Sequence, residues 1–371
     1  MKKDIDLYYI HLFNDYSGSP RVLKDAIDCN VNDSKHTYIF TSNHSGFLDS
    51  DNNRRVNIFY ARSSNRFIQL IYFFLAQFHL FLKLLGFLCL SRFKKRNVIL
   101  IVNTMLPFSA LFAGWLMKGR VVCYIHETFI KPDVFKRFLR FFIEYFSTNV
   151  VYVSQYLRDN ENFSKPDKLI IYNGLRADFP AVPTFNKKSK FNGKKVLFAG
   201  SLKEYKGINQ LVKLAEVNGS INFIAALNCE QSDFEDFISK VDIPSNLSLL
   251  VRPNNLQDLF AESFLVLNLS LPNAWVETFG LSIVEGMAFG NPVVAPPIGG
   301  PTEFVNSNNG ALIDSRNIEE ISRFIEHLSS SYTLWSSYSD YAFESSKYFS
   351  AEQFKKNYRL FYNDYLLGII E

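Results

Sequence analysis

Short apolar runs alternate along the chain with longer stretches whose apolar residues return every three or four positions. The runs read as strands buried on both faces, the longer stretches as helices. Strands are predicted at 5–12, 36–41, 56–60, 98–102, 121–125, 149–154 and 169–172, and again at 195–200, 221–226, 247–251, 264–269 and 293–295. Helices are predicted from near Arg21, at 67–90, 107–117 and 135–146, from near Ile208, and at 258–263, 281–289 and 350–367. Strand–helix alternation of this kind builds parallel, doubly wound sheets. At 371 residues the chain is too long for one ordinary core. The break falls at 181–194, where Pro183 and a Lys/Asn/Ser-rich run read as a linker, leaving a domain at 1–180 and another at 195–349. The Asn/Ser/Asp-rich stretch 42–54 reads as an exposed loop.

Two predicted helices depart from the pattern of a simple core. Residues 67–90 are almost wholly apolar and long enough to cross a bilayer, with Arg66 before them and Arg92, Lys94, Lys95 and Arg96 after. A crossing is disfavoured, because Arg66, Gln69 and Gln77 share one narrow arc and because the strands on either side belong to one predicted sheet. A buried core helix and a helix lying on a membrane surface both remain. Residues 135–146 place Phe138, Phe141, Phe142 and Phe146 among Lys136, Arg137 and Arg140, which is either a core helix with a solvated basic face or a lipid-docking one.

Charge sharpens this reading. Residues 1–180 hold 24 Lys/Arg and 15 Asp/Glu, whereas the remainder holds 16 and 21, so the modest net charge of +4 hides a basic first half and an acidic second. A basic half points to an anionic surface. With no zinc finger, aromatic RNA-binding signature or dense basic tract, nucleic acid is set aside in favour of membrane. The 47% apolar and 20% charged content is that of a globular protein. Cys29, Cys89, Cys123 and Cys229 are scattered and no histidines have ligand spacing, which excludes a disulfide framework or zinc site and fits a reducing compartment. The first residues carry too short and too polar an apolar run for a signal peptide, so a cytoplasmic location is expected.

Candidate chemistry concentrates in 277–300, VETFGLSIVEGMAFGNPVVAPPIGG from Val276 onward. Thr278, Phe279 and Gly280 form a turn into a helix that starts at Leu281, and Gly290 and Pro292 stop it. The unsatisfied N–H groups of such a helix start make the 278–281 turn a seat for a phosphate or diphosphate. Glu277 precedes the helix, and Glu285 lies one turn inside it among apolar neighbours, where a carboxylate needs a partner such as the vicinal hydroxyls of a ribose. Elsewhere, Lys206 and Gly207 stand at a helix start where a cation and backbone amides converge on an anion. Gly18 lies in the loop after the first strand, a ligand-binding position in doubly wound sheets and also an ordinary strand-to-helix turn. His126 ends a strand at the same edge, followed by Glu127.

The ordered set Glu277, Phe279–Gly280, Glu285, Gly286, Gly290, Pro292, Gly299–Gly300 and Glu303 resembles the nucleotide-sugar site of retaining GT-B glycosyltransferases of the group 1 type. The resemblance implies an α/β fold of two Rossmann-like domains facing each other across a cleft, with the last helix, 350–371, returning to the first domain. It implies a metal-independent hexosyltransferase without a cofactor, using a UDP- or GDP-sugar and a polyprenyl-diphosphate-linked or other lipid-linked glycan acceptor at the inner face of the plasma membrane, in assembly of O-antigen, capsule or lipopolysaccharide. Catalytic roles then fall to His126, Glu277 and Lys206. Donor binding falls to Gly18, Ser201, Lys206, Arg252, Thr278, Phe279, Gly280, Leu281 and Glu285. Ser201 stands where many relatives carry arginine, leaving Arg21, Lys203 or Arg252 to compensate. The same architecture serves nucleotide-sugar epimerases and degenerate partner proteins, the two alternatives to transfer.

Overall fold

The apolar runs form two parallel sheets in the computed structural model, which describes residues 4–30, 36–49, 54–176, 179 and 184–368. The chain divides into two units, Met1–Gly174 with Glu352–Glu371, and Leu175–Ala351. In the first, the order of elements is β1 (Ile5–Ile10), α1 (Gly18–Cys29), β2 (Thr37–Ser42), β3 (Arg55–Ile58), α2 (Arg66–Phe93), β4 (Asn97–Asn103), α3 (Phe108–Leu116), β5 (Arg120–Ile125), α4 (Asp133–Phe146), β6 (Asn149–Tyr152), α5 (Gln155–Asn160) and β7 (Asp167–Ile170). Its seven strands lie in the order β3-β2-β1-β4-β5-β6-β7, every pair parallel. The winding reverses between β1 and β4. Ligands of open α/β sheets bind at that point, outside the carboxyl ends of the strands.

Helix α2 is the crossover from β3 to β4, so both of its ends belong to one sheet. It runs along the sheet between β3 and β4, and it is long and apolar enough to cross a membrane. Its inner face carries Phe73, Ala76, Leu80, Leu84 and Leu88, all buried, and Phe87 packs its ring on Tyr38 and Phe40 at 5.1 and 5.3 Å. Gln77 belongs to this face too. Its amide donates to Leu106 O at 3.1 Å and accepts from Ser109 N at 3.2 Å, holding the start of α3. The polar arc expected on α2 therefore turns partly inward, while Phe67, Phe78 and Phe93 stand 71%, 62% and 87% exposed.

The second unit contains α6 (Lys187–Gly193), β8 (Lys195–Ser201), α7 (Ile208–Val217), β9 (Asn222–Asn228), α8 (Gln231–Ile238), β10 (Leu247–Val251), α9 (Leu256–Glu262), β11 (Leu265–Leu267), α10 (Leu281–Ala288), β12 (Val293–Ala295), β13 (Gly310–Leu312), α11 (Ile318–Ser329) and α12 (Tyr332–Ser346). The six strands are parallel in the order β10-β9-β8-β11-β12-β13, which reverses between β8 and β11. Trp335 of α12 is fully buried, stacks on Phe264 at 5.4 Å and donates its indole N–H to Phe264 O at 2.8 Å. Leu175 N donates to Phe349 O at 2.7 Å, so the chain segments at the two ends of this unit are joined. Helix α13 (Ala351–Leu360), which continues in wider π-type turns over Phe361–Leu367, falls largely in the first unit, where Arg359 Nε donates to Cys29 O at 3.4 Å and Arg120 Nη1 to Leu366 O at 3.1 Å.

Two expectations are corrected. Residues 187–193, read as linker, form α6, because Asn186 caps it by accepting from Ser189 N at 3.0 Å and Phe191 packs against Phe264, Tyr332 and Trp335. Its Lys190 is buried and donates to Phe289 O at the end of α10. One aromatic and one cap outweigh a polar composition; residues 181–183 of the expected linker lie outside the described residues. The 42–54 stretch, read as an exposed loop, is pinned over 42–49. Buried Asn14 donates to His44 O and Asp49 Oδ1, both at 2.9 Å, accepts from Leu48 N at 3.1 Å, and Leu48 itself is buried; 50–53 lie outside the described residues.

Candidate functional site

Chemistry-bearing residues of the second unit gather where the strand order reverses. The loop after β8 ends in a turn of 3-10 helix, Glu204–Lys206, and then Gly207, whose φ of +87° starts α7. A Cβ on Gly207 would lie 2.1 Å from Leu269 O, so no other residue lets this loop approach the one after β11 so closely. Leu271 N donates to Tyr205 O at 2.8 Å, and Tyr205 stacks on Trp275 at 5.1 Å. Lys206 is thereby delivered to Glu277. Its Nζ donates to Glu277 Oε2 at 2.7 Å and stands 5.1 Å from the Trp275 ring centroid.

Glu277 also receives long contacts from Asn268 Nδ2 at 3.4 Å and Ser270 Oγ at 3.5 Å. Burial by itself raises its pKa, but the charge and hydrogen bond of Lys206, with Asn268 and Ser270, outweigh burial and hold the carboxyl below its ordinary value. The pair is ionised and each side chain is less than a fifth exposed. An ion pair so placed presents a cation and an acceptor side by side, able to meet a phosphate and a hydroxyl of one ligand.

Helix α10 begins beside this pair in sequence. Gly280 takes φ +97° at its N-cap, and Glu285, one turn in, is 6% exposed. The helix ends in a Schellman turn, with Gly290 N donating to Met287 O at 2.9 Å and Asn291 N to Gly286 O at 3.1 Å. Gly286 is there because a Cβ would lie 2.7 Å from Val266 Cγ2, which seats α10 tightly on β11. Gly299 and Gly300 serve the 277–278 segment. Gly300 N donates to Glu277 O at 2.9 Å, and Cβ atoms on the two glycines would meet Glu277 O at 2.2 Å and Thr278 O at 2.3 Å. The Phe279 ring is buried against Phe304 and Phe349 at 5.6 and 5.5 Å, so it anchors the turn and only its backbone can face a ligand.

The other second-unit residues named from sequence lie apart from this pair in their contacts. Ser201 ends β8. Arg252, at φ +43° just after β10, donates to Glu230 Oε1 at 2.6 Å and Asn228 Oδ1 at 3.2 Å, and Lys203 Nζ is 3.6 Å from Asp233. The first pair joins the segments that follow β9 and β10, and the second joins the loop after β8 to α8. In the first unit Arg21 is buried and donates to Gly174 O at 3.0 Å, which commits it to structure.

The first unit builds its own cluster at the ends of β1, β4 and β5. Nε2 of His126 bonds Asn103 Oδ1 at 2.7 Å, and Asn103 Nδ2 reaches His11 Nδ1 at 3.1 Å and Ser19 O at 3.0 Å. With the amide oxygen accepting from His126 Nε2–H, the amide hydrogens go to Ser19 O and His11 Nδ1. The His126 ring stacks on Tyr124 at 5.0 Å. Burial, then the neighbouring His11, lowers the His126 pKa to about 3, and burial lowers that of His11 to about 4; both rings are neutral at physiological pH. Glu127 turns away to accept from Met105 N at 2.9 Å and His126 N at 3.1 Å, and burial pushes its pKa up to about 7. Gly18 is the first residue of α1, preceded by Ser17, which donates its backbone N–H to Asp15 Oδ1 at 3.0 Å.

Sequence reasoning missed His11, Asn103, Asn268, Ser270 and Trp275. All but Trp275 end a strand of the structure or follow one within a few residues, the position that doubly wound sheets reserve for ligands. The Trp275 indole N–H is buried and meets no acceptor among the described residues. Its ring carries the Lys206 contact described above.

Residues 183–345 match the family Glycosyl transferases group 1. A glycosyltransferase of Methanocaldococcus jannaschii is 27% identical over 61% of this chain and 63% of its own length, and a protein of the cps region of Klebsiella pneumoniae is 28% identical over 46% and 44%. The chain thus spans less than two thirds of these relatives. Among solved structures, Anabaena HepE in complex with UDP-glucose superposes with a TM-score of 0.75 at 18% identity over 95% of this chain and 98% of that one. WaaG, a glycosyltransferase involved in lipopolysaccharide biosynthesis, superposes with 0.68 at 13% over 95% and 98%. Residues 183–345 are thus similar to group 1 glycosyltransferases, and the two parallel-sheet Rossmann-like α/β units share their fold with GT-B glycosyltransferases among solved structures.

Proposed function

We propose that the protein moves a hexose from a UDP- or GDP-sugar to a hydroxyl of a lipid-linked glycan, with retention of configuration and without a metal. The observation that carries this reading is the Lys206–Glu277 ion pair beside the start of α10 in the family-matched unit. In this reading Lys206 and the first amides of α10 take the diphosphate, Glu285 the ribose hydroxyls and Glu277 a hydroxyl of the sugar. The acceptor oxygen bonds to the anomeric carbon on the face the diphosphate leaves, and its proton passes to the departing diphosphate oxygen. Charge stabilisation on the leaving group is the main catalytic term, for which a fixed cation is suited. Neutral His126 serves as a hydrogen-bonding group for sugar or acceptor.

The UDP-glucose bound to HepE supports a nucleotide-sugar donor. The cps-region relative and WaaG, involved in lipopolysaccharide biosynthesis, support a role in surface-polysaccharide assembly, which the proposal places at the cytoplasmic face of the plasma membrane. The test is to incubate the protein with UDP- and GDP-hexoses and polyprenyl-diphosphate-linked glycan extracted from membranes. Donor-dependent appearance of a longer lipid-linked glycan is expected. Epimerised sugar nucleotide without acceptor, or no turnover of any donor, would overturn the reading.

A further inference from the structure

Helices α2, α3 and α4 carry a second apolar surface that the fold leaves uncovered. On α2 the stripe Phe67, Ile71, Phe74, Phe78 and Leu82 returns every three or four residues and is exposed by 43% to 71%, on the side away from the buried stripe. On α4 Val134, Phe138, Phe141 and Tyr145 repeat the pattern, exposed by 37% to 68%, and Trp115 and Leu116 end α3 half exposed. Ring contacts make these one surface. Phe108 of α3 touches Phe74 at 6.3 Å and Phe138 at 4.9 Å, and Phe146 touches Phe112 at 5.2 Å and Trp115 at 5.0 Å. An uncovered apolar patch of three helices exceeds what a lone soluble surface carries without a partner.

Charge selects the partner. Residues 61–150 hold thirteen Lys/Arg against three Asp/Glu. Of the three acids, Glu127 clamps Met105 N and His126 N, Glu144 accepts from Ser164 N and Lys165 N, and Asp133 pairs with Lys131. Lys136 and Arg140, expected to face lipid, are consumed by buried Glu161. Arg66, Lys94, Lys95, Lys118 and Arg137 remain exposed, at the ends of α2 and α3 and on the outer stripe of α4. A second copy of this chain would oppose like charge to like, whereas an anionic bilayer satisfies both the aromatic stripe and the basic rim.

We infer that the outer faces of α2, α3 and α4 seat the first unit in the interface of an anionic bilayer, with the helices lying in its plane. The inference extends the lipid-linked acceptor reading to a named surface, but it stands on this surface alone and is tested apart from donor binding. Purified full-length protein is floated with vesicles of phosphatidylcholine alone and with about a third phosphatidylglycerol, beside a Phe67→Glu/Phe78→Glu variant whose melting temperature is checked. Binding to the anionic vesicles at low salt is expected, weakened about tenfold or more by the double substitution, by raised salt or by neutral lipid. Nucleotide-sugar binding in the absence of vesicles should be the same for both proteins, so loss of that signal alone speaks to the donor reading and not to this one. Equal flotation of the folded variant, flotation indifferent to lipid charge, or a concentration-dependent dimer that the variant abolishes while neither protein floats would each overturn the inference.

Discussion

Lys206 Nζ and Glu277 Oε2 meet at 2.7 Å across 71 residues of sequence, and this bond ties the loop after β8 to the loop after β11. Replacing Lys206 by Met removes both the cation for a leaving diphosphate and the charge that keeps Glu277 ionised. The expected loss in kcat/KM is about 10²–10³-fold, with Lys206→Arg intermediate. Burial then dominates Glu277 and its pKa rises. Activity that needs the carboxylate exists above that pKa and is lost as pH falls through it, so the acid limb of the pH–rate profile moves to higher pH in the variant. An unmoved limb counts against this coupling.

His126 should contribute no inflection between about pH 5 and 8, where an ordinary histidine near 6.5 titrates. Asn103→Ala removes the acceptor that fixes its Nε2–H and the donor to His11. A fall in kcat/KM of about tenfold with donor affinity unchanged is expected, on the order of one hydrogen bond's worth of positioning. Steady-state kinetics with a donor titration separate the two.

Glu127 makes a stability prediction of unusual sign. Its folded pKa of about 7 lies above the unfolded value near 4.3, so the folded state holds the proton more tightly. The stabilisation from this group is full below about pH 4.3 and is lost as pH rises through about 7. Thermal melts across that window should show this fall for the native protein and not for Glu127→Gln. The Gln variant should also melt lower throughout, since its amide nitrogen faces a backbone N–H that an oxygen now satisfies.

Gly300→Ala places a methyl 2.3 Å from Thr278 O and 2.7 Å from the Phe279 Cα, both backbone atoms that cannot step aside. A cost of about 1–3 kcal/mol is expected, with the displacement falling on the 277–280 turn and hence on donor affinity. Gly219→Ala, with open space around its Cβ, is the control and should be near neutral.

The two parallel sheets were legible because strands buried on both faces leave uninterrupted apolar runs, and β10 and β12 match their predicted limits. The turn before α10 was legible because glycines with positive φ leave no alternative residue. Helix α6 was not, since Phe191 is one aromatic in a polar run, and neither was the inward turn of Gln77, since periodicity reports which residues share a face and not which way the face points. Asn103 was hidden for another reason. An asparagine after an apolar run looks like a strand stop, and only the parallel pairing of β1, β4 and β5 brings it beside His11 and His126.

The central claim is that the second unit is a nucleotide-sugar site held by Lys206, Glu277 and Glu285. Calorimetric titration of UDP, GDP, UDP-glucose and GDP-mannose into the native protein, Lys206→Met and Glu285→Gln tests it without need of an acceptor. One nucleotide class should bind the native protein, with the diphosphate part weakened about tenfold or more by Lys206→Met and the ribose part by Glu285→Gln. Absence of binding by every nucleotide, or equal affinity in all three proteins, would contradict it.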